Sequence, residues 1–144
     1  MRITDVLRDK GGSVVSVPPQ TDVTALLAML AEHRIGAAVV SSDGRTVEGI
    51  VSERDVVRAL AAQGPSVLQQ PVSSICTVQV HTVGPDARLE DLMRVMTDRR
   101  IRHVPVVVDG ALTGIVSIGD IVKRRMDELE DERTALSDYL TTSS

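Results

Sequence analysis

The chain has 144 residues, of which 42% are hydrophobic and 25% charged, and a formal net charge of −4, which excludes a disordered chain and a general basic surface for nucleic acid. One Tyr, with no Phe and no Trp, excludes base-stacking recognition of single strands and requires an aliphatic core. The single Cys76 excludes an intramolecular disulfide and a Cys-rich zinc site, and no apolar run approaches the roughly 20 residues of a membrane span, so a cytoplasmic protein with no membrane contact is expected.

In chain order, residues 3–6 form a short leading segment. A β-rich run over 14–17 follows and stops at Pro18-Pro19. Val23, Leu26, Leu27 and Leu30 recur at helical spacing, predicting a helix that starts near Thr21 or Asp22. Residues 37–40 are a continuous apolar run, as in a strand buried on both faces. Asp43-Gly44 is a hairpin signal leading to a strand over 47–51, and a second helix runs over 52–63 to Gly64.

Residues 65–71 read as a linker with a proline at each end, and 72–75 as a second leading segment. The pattern then recurs. Residues 14–44 align with 80–110 at a constant offset of 66, including Pro19/Pro85, Leu26/Leu92, Arg34/Arg100, Ile35/Ile101 and Asp43-Gly44/Asp109-Gly110. At an offset of 65, Gly49-Ile50-Val51-Ser52 and Asp55 match Gly114-Ile115-Val116-Ser117 and Asp120. Leu89, Leu92, Met93 and Met96 repeat the helical face, with strands predicted over 104–108 and 112–116. Two copies of one strand-helix-strand-strand-helix unit follow, each needing the other to cover an apolar face. The expected divisions are 1–64, 65–71, 72–125 and an extension over 126–144.

The last helix is predicted from 121 to about 139. Val122, Met126, Leu129, Leu136 and Leu140, with Arg133 at one position of the series, follow alternating four- and three-residue steps. Such a stripe either packs back on its own domain or clamps a neighbouring chain. The charged residues around it, 123–133, read as a solvated face.

The motif Gly49-Ile50-Val51-Ser52-Glu53-Arg54-Asp55 and its counterpart at 114–120 carry two readings. Ser-x-x-Asp at a strand-to-helix junction resembles a capping box. It also sets helix amides, which favour a phosphate, beside a carboxylate able to accept the paired hydroxyls of a ribose. The three histidines, His33, His81 and His103, lack metal-ligand spacing, and no nucleophile elbow is present, so no catalytic site is expected.

Together with Arg100-Ile101-Arg102-His103-Val104-Pro105-Val106, these motifs resemble the cystathionine β-synthase (CBS) domain family in tandem, the Bateman module, from about residue 3 to residue 125. The resemblance implies an α/β (α+β) fold of two pseudo-symmetric repeats packed sheet to sheet. It implies an adenosine-containing ligand (AMP, ADP, ATP or S-adenosylmethionine) in clefts between them. Ser52, Arg54 and Asp55, and Ser117 and Asp120, would hold phosphate and ribose. Ser16, Ile35, Ala37 and Pro105 would lie along the ligand. Arg102 and His103 would face phosphate in the cleft of Asp55, in an order reversed from the family's usual His-Arg. The first copy has Gly36-Ala37 there, so the Asp120 cleft would have fewer charges and suit an uncharged ligand. Disc-like homodimers with four potential sites are implied. The function expected is a stand-alone nucleotide-sensing module acting through an unidentified protein partner or a change of assembly; the alternative is an interaction module that works without ligand.

Overall fold

A computed structural model describes residues 1–10 and 16–142. The elements run α1 (Ile3–Lys10), β1 (Ser16–Val17), α2 (Val23–His33), β2 (Ala37–Val40), β3 (Gly49–Ser52), α3 (Glu53–Gln63), two 3-10 turns (Pro65–Gln69 and Val72–Ser74), α4 (Leu89–Arg99), β4 (His103–Val108), β5 (Ala111–Ser117) and α5 (Ile118–Thr142). β1 pairs parallel with β2 and β2 antiparallel with β3; β4 and β5 form a separate antiparallel pair.

Local chemistry sets the ends of these elements. Asp22 caps α2 by accepting from the Ala25 amide at 2.7 Å. Arg34 and Arg100, identical in the two copies, close α2 and α4 in the left-handed conformation. Asp109 and Gly110, both at positive φ, make the tight turn between β4 and β5 that the sequence predicts. The matching Asp43-Gly44 does not turn tightly. Asp43 instead accepts from the Arg45 and Thr46 amides and from the Ser41 and Thr46 hydroxyls, organising a wider loop between β2 and β3. Those donors hold its carboxyl well below the usual carboxylate range.

The strand expected at the start of the second copy is reduced to a single parallel bridge, Val83 to Val106. In the first copy β1 holds only Ser16 and Val17; Val14 and Val15 lie outside the described residues. α5 exceeds its predicted span at both ends, and its start is set by Ser117, which caps it three residues earlier than the apolar spacing suggests.

Two apolar cores form. The first gathers Val23, Leu26 and Leu30 of α2 with Ala38, Val40, Val51 and Val56; the second gathers Leu89, Leu92 and Met96 of α4 with Val104, Val106, Val116 and Ile121. The leading segments cross over. Ile3 and Val6 of α1 belong to the second core, whereas Val67 and Val72 belong to the first. The paired glycines of the repeated motif make room for this exchange. A Cβ on Gly114 would meet Leu7 at 2.6 Å, and one on Gly49 would meet Cys76 Sγ and the Thr77 carbonyl at 3.0 Å. Ile50 and Thr77 exchange both backbone hydrogen bonds at 2.9 Å, and the Leu112 amide donates to the Arg45 carbonyl at 2.7 Å, tying the halves together.

Candidate functional site

The strand β3 runs straight into α3, so its last residue, Ser52, is also the helix cap. The Ser52 amide donates to Asp55 Oδ2 at 2.9 Å, and the Ser52 hydroxyl accepts from the Asp55 amide at 3.3 Å. The second copy repeats the arrangement: the Ser117 amide donates to Asp120 Oδ2 at 2.9 Å and the Asp120 amide to Ser117 Oγ at 3.1 Å. Both motifs are therefore capping boxes. That role uses only one oxygen of Asp55, and among the described residues Oδ1 has no partner.

The next amide in each copy is tied to the other arm of its own repeat. Glu53 N donates to the Gly36 carbonyl at 3.0 Å, and Ile118 N to the Arg102 carbonyl at 2.9 Å. These equivalent bonds place Gly36 beside the start of α3 and Arg102 beside the start of α5. A Cβ on Gly36 would lie 3.5 Å from the His103 ring, so the glycine of the first copy leaves space for the histidine of the second. The asymmetry between Gly36-Ala37 and Arg102-His103 thus builds one cleft from both repeats.

That cleft has a volume of about 550 Å³. Ala37, Ser52, Arg54, Asp55, Arg102 and His103, all singled out in the sequence, line it together. Its charge is uneven. Arg54, Arg58, Arg99, Arg100 and Arg102 face two carboxylates, Glu53 and Asp55, in a chain that is acidic as a whole. Among the described residues no carboxylate holds any of these five guanidinium groups in an ion pair. Ala37, Ile50, Val80 and Ile101 add an apolar part to the lining. Nearby, burial and the charge of Asp55 push the Cys76 thiol above its ordinary value.

Three expected residues lie elsewhere. Ile35 packs against the first core, since its backbone turns inward after the left-handed Arg34. Pro105 is buried in β4 opposite Ile115. Ser16 sits beside Val39, with its hydroxyl near the Gly44 loop. The cleft instead uses Thr77, Gln79, Val80 and His81, the stretch before the bridge at Val83. Sequence reasoning missed Arg58, Arg99 and Arg100, although three arginines within residues 99–102 were a visible signal.

Asp120 lines a different cavity of about 530 Å³ with Val6, Lys123, Arg124, Asp127, Glu130 and Asp131. The expectation of few charges beside Asp120 does not hold: among the described residues four carboxylates and two cations line this cavity, and none of them comes from β2 or β3. The cause is the crossover of α1, which brings Val6 against the charged face of α5. Ser117 caps α5 and does not line this cavity. Among the described residues there is no cluster of metal ligands, and no helix is long and apolar enough to cross a membrane.

The repeated architecture has close relatives. The CBS domain family model matches residues 3–62 and again 72–127. The chain belongs to the CBS domain family. Its CBS pair is 35% identical over 146 residues to the mitochondrial CBS domain-containing protein CBSX3 of Arabidopsis thaliana, covering 96% of this chain and 71% of that protein. A crystal structure of a CBS-domain containing protein from Agrobacterium tumefaciens superposes with a TM-score of 0.83 at 44% identity, covering 87% of this chain and 99% of the other. A CBS domain protein from Pyrobaculum aerophilum, solved in complex with AMP, matches with a TM-score of 0.74 at 31% identity over 83% of this chain and 89% of that one. The expected family and the mixed α/β fold of two CBS repeats are both borne out.

Proposed function

We propose that this CBS pair is a regulatory, non-catalytic module that binds an adenine nucleotide in the cleft between its repeats, one ligand per chain. The observation that carries this reading is the set of five arginines, uncommitted to any carboxylate among the described residues, beside the oxygen of Asp55 that the capping box leaves unused. The apolar residues suit a base, Asp55 suits a ribose, and the guanidinium groups suit phosphate. The AMP held by the Pyrobaculum relative supports the ligand class. The charge balance favours ATP and ADP over AMP, and disfavours S-adenosylmethionine, whose sulfonium adds a positive charge. The acidic lining of the second cavity disfavours a second polyphosphate.

With no reactive site in this reading, the signal leaves through a homodimer, a protein partner or both, in a reducing compartment such as the cytoplasm. A ligand-independent interaction module leaves the convergence of five arginines on one cleft without a purpose. Arg102→Ala separates the two: ATP affinity is expected to fall by roughly 10-fold or more, with adenosine affinity nearly unchanged and a flatter salt dependence. Calorimetric titration at two salt concentrations reads this directly. Equal losses for ATP and adenosine would assign Arg102 to the fold instead of to phosphate.

A further inference from the structure

Among the described residues, the face of α5 that carries Val122, Met126, Leu129 and Leu136 stands largely open. Val122, Met126, Leu129, Leu136 and Leu140 are between 49% and 63% exposed, although they form a single seam with Arg133 completing its steps. We propose that this seam is covered by the same helix of a second copy, running antiparallel, with the two-fold axis passing between Asp127 and Glu128. This deepens the homodimer reading by stating which faces meet and in what direction.

Charge decides the occupant and its orientation. The residues flanking the seam change sign along it: Lys123 and Arg125 come first, Glu130 and Glu132 follow. An antiparallel copy in this register sets Lys123 against Glu130 and Arg125 against Glu132 of the second copy, and the two-fold repeats both pairs. Asp127, Glu128 and Asp131 fall on the side away from the seam, where Asp127 and Asp131 line the cavity beside Val6. The apolar layers close in the same register. Met126 meets Leu129, Arg133 lays its aliphatic stem along Val122, and Leu136 meets Gly119, which has no side chain to obstruct it. A parallel pair would stack Arg133 on Arg133 and keep only the Arg125–Glu130 attraction.

The four flanking residues are available for this. Lys123, Arg125, Glu130 and Glu132 are all exposed, and Arg125 is held along the helix by its 2.9 Å ion pair with Glu128. A self-complementary patch of this kind is what a closed two-fold dimer requires. The same stripe on an unrelated partner would need that partner to reproduce the reversed charge order; a second copy reproduces it by symmetry.

Charge reversal on the full chain tests the proposal. Lys123→Glu/Arg125→Glu and Glu130→Lys/Glu132→Lys each turn all four pairs repulsive, so each is expected to weaken dimerisation by about 30-fold or more in a sedimentation dilution series. Mixed in equal amounts, the two variants restore four attractive pairs and should associate at least as tightly as the unmodified chain. Restoration on mixing also shows that both variants are folded. Orientation is read in a Cys76→Ser background: Val122→Cys should form a disulfide with Arg133→Cys of the other copy, and not with itself. A dimer indifferent to both reversals would overturn this interface while leaving dimerisation intact. A full chain that is monomeric at micromolar concentration would overturn both, and self-linkage of Val122→Cys alone would overturn the antiparallel direction.

Discussion

Asp55→Ala is expected to weaken ATP binding by roughly 10- to 100-fold, the equivalent of losing charge-assisted hydrogen bonds worth about 1.5–3 kcal/mol. The carboxylate does two jobs through different oxygens. Oδ2 accepts from the Ser52 amide and hydroxyl, and Oδ1 is left for a ligand. Removing the side chain therefore also costs a helix cap, about 1 kcal/mol of stability, which the fold should survive. Denaturation of the variant alongside the titration separates the two effects. The substitution should also make the Cys76 thiol easier to ionise, because the charge of Asp55 is one cause of its raised pKa. A folded variant with unchanged ATP affinity would remove Asp55 from the binding site.

Ile3→Ala is expected to cost about 2–5 kcal/mol of stability, the usual range for emptying a fully buried aliphatic site. The location of the damage is more informative than its size. Ile3 opens the first repeat in sequence but is fully buried in the second core, with Leu89, Leu92 and Met96. Amide exchange should consequently accelerate first in α4, β4 and β5, with α2 and β2 protected longer. Early loss of protection in α2 and β2 would contradict the crossover.

Much of this architecture was legible because identical residues recur at identical intervals. Leu26 and Leu92, Arg34 and Arg100, and Ser52-x-x-Asp55 and Ser117-x-x-Asp120 mark the same helix face, the same left-handed cap and the same capping box. Periodicity reports local conformation, and those features are local. The crossover of α1 was not legible, because Ile3 and Val72 occupy matching places in their copies and nothing in either segment says which core it joins. Gly49 and Gly114 carried a trace of it: a glycine retained at the same place in both strands signals a close approach, here by Cys76-Thr77 and by Leu7.

The candidate site divided along the same line. Ser52, Asp55, Arg102 and His103 were found through motifs, whereas Arg58, one turn into α3, depended on knowing which helix face meets the second repeat. Ile35 and Pro105 were misplaced because apolar runs conceal which way each residue faces: Ile35 precedes β2 and packs against the first core, and Pro105 is buried in β4 between the core residues Val104 and Val106. The hairpin signal at Asp43-Gly44 was outcompeted by the four hydrogen bonds that Asp43 accepts within its own loop.

On this reading the cleft between the repeats is a polyphosphate-selective adenine-nucleotide site. Isothermal titration of the full chain with ATP, ADP, AMP, adenosine and S-adenosylmethionine at one ionic strength tests it most directly. One equivalent of ATP per chain is expected to bind at micromolar affinity, with affinity decreasing from ATP through ADP and AMP to adenosine, and S-adenosylmethionine weaker than AMP. Binding of none of the five, or tightest binding of S-adenosylmethionine, would contradict it.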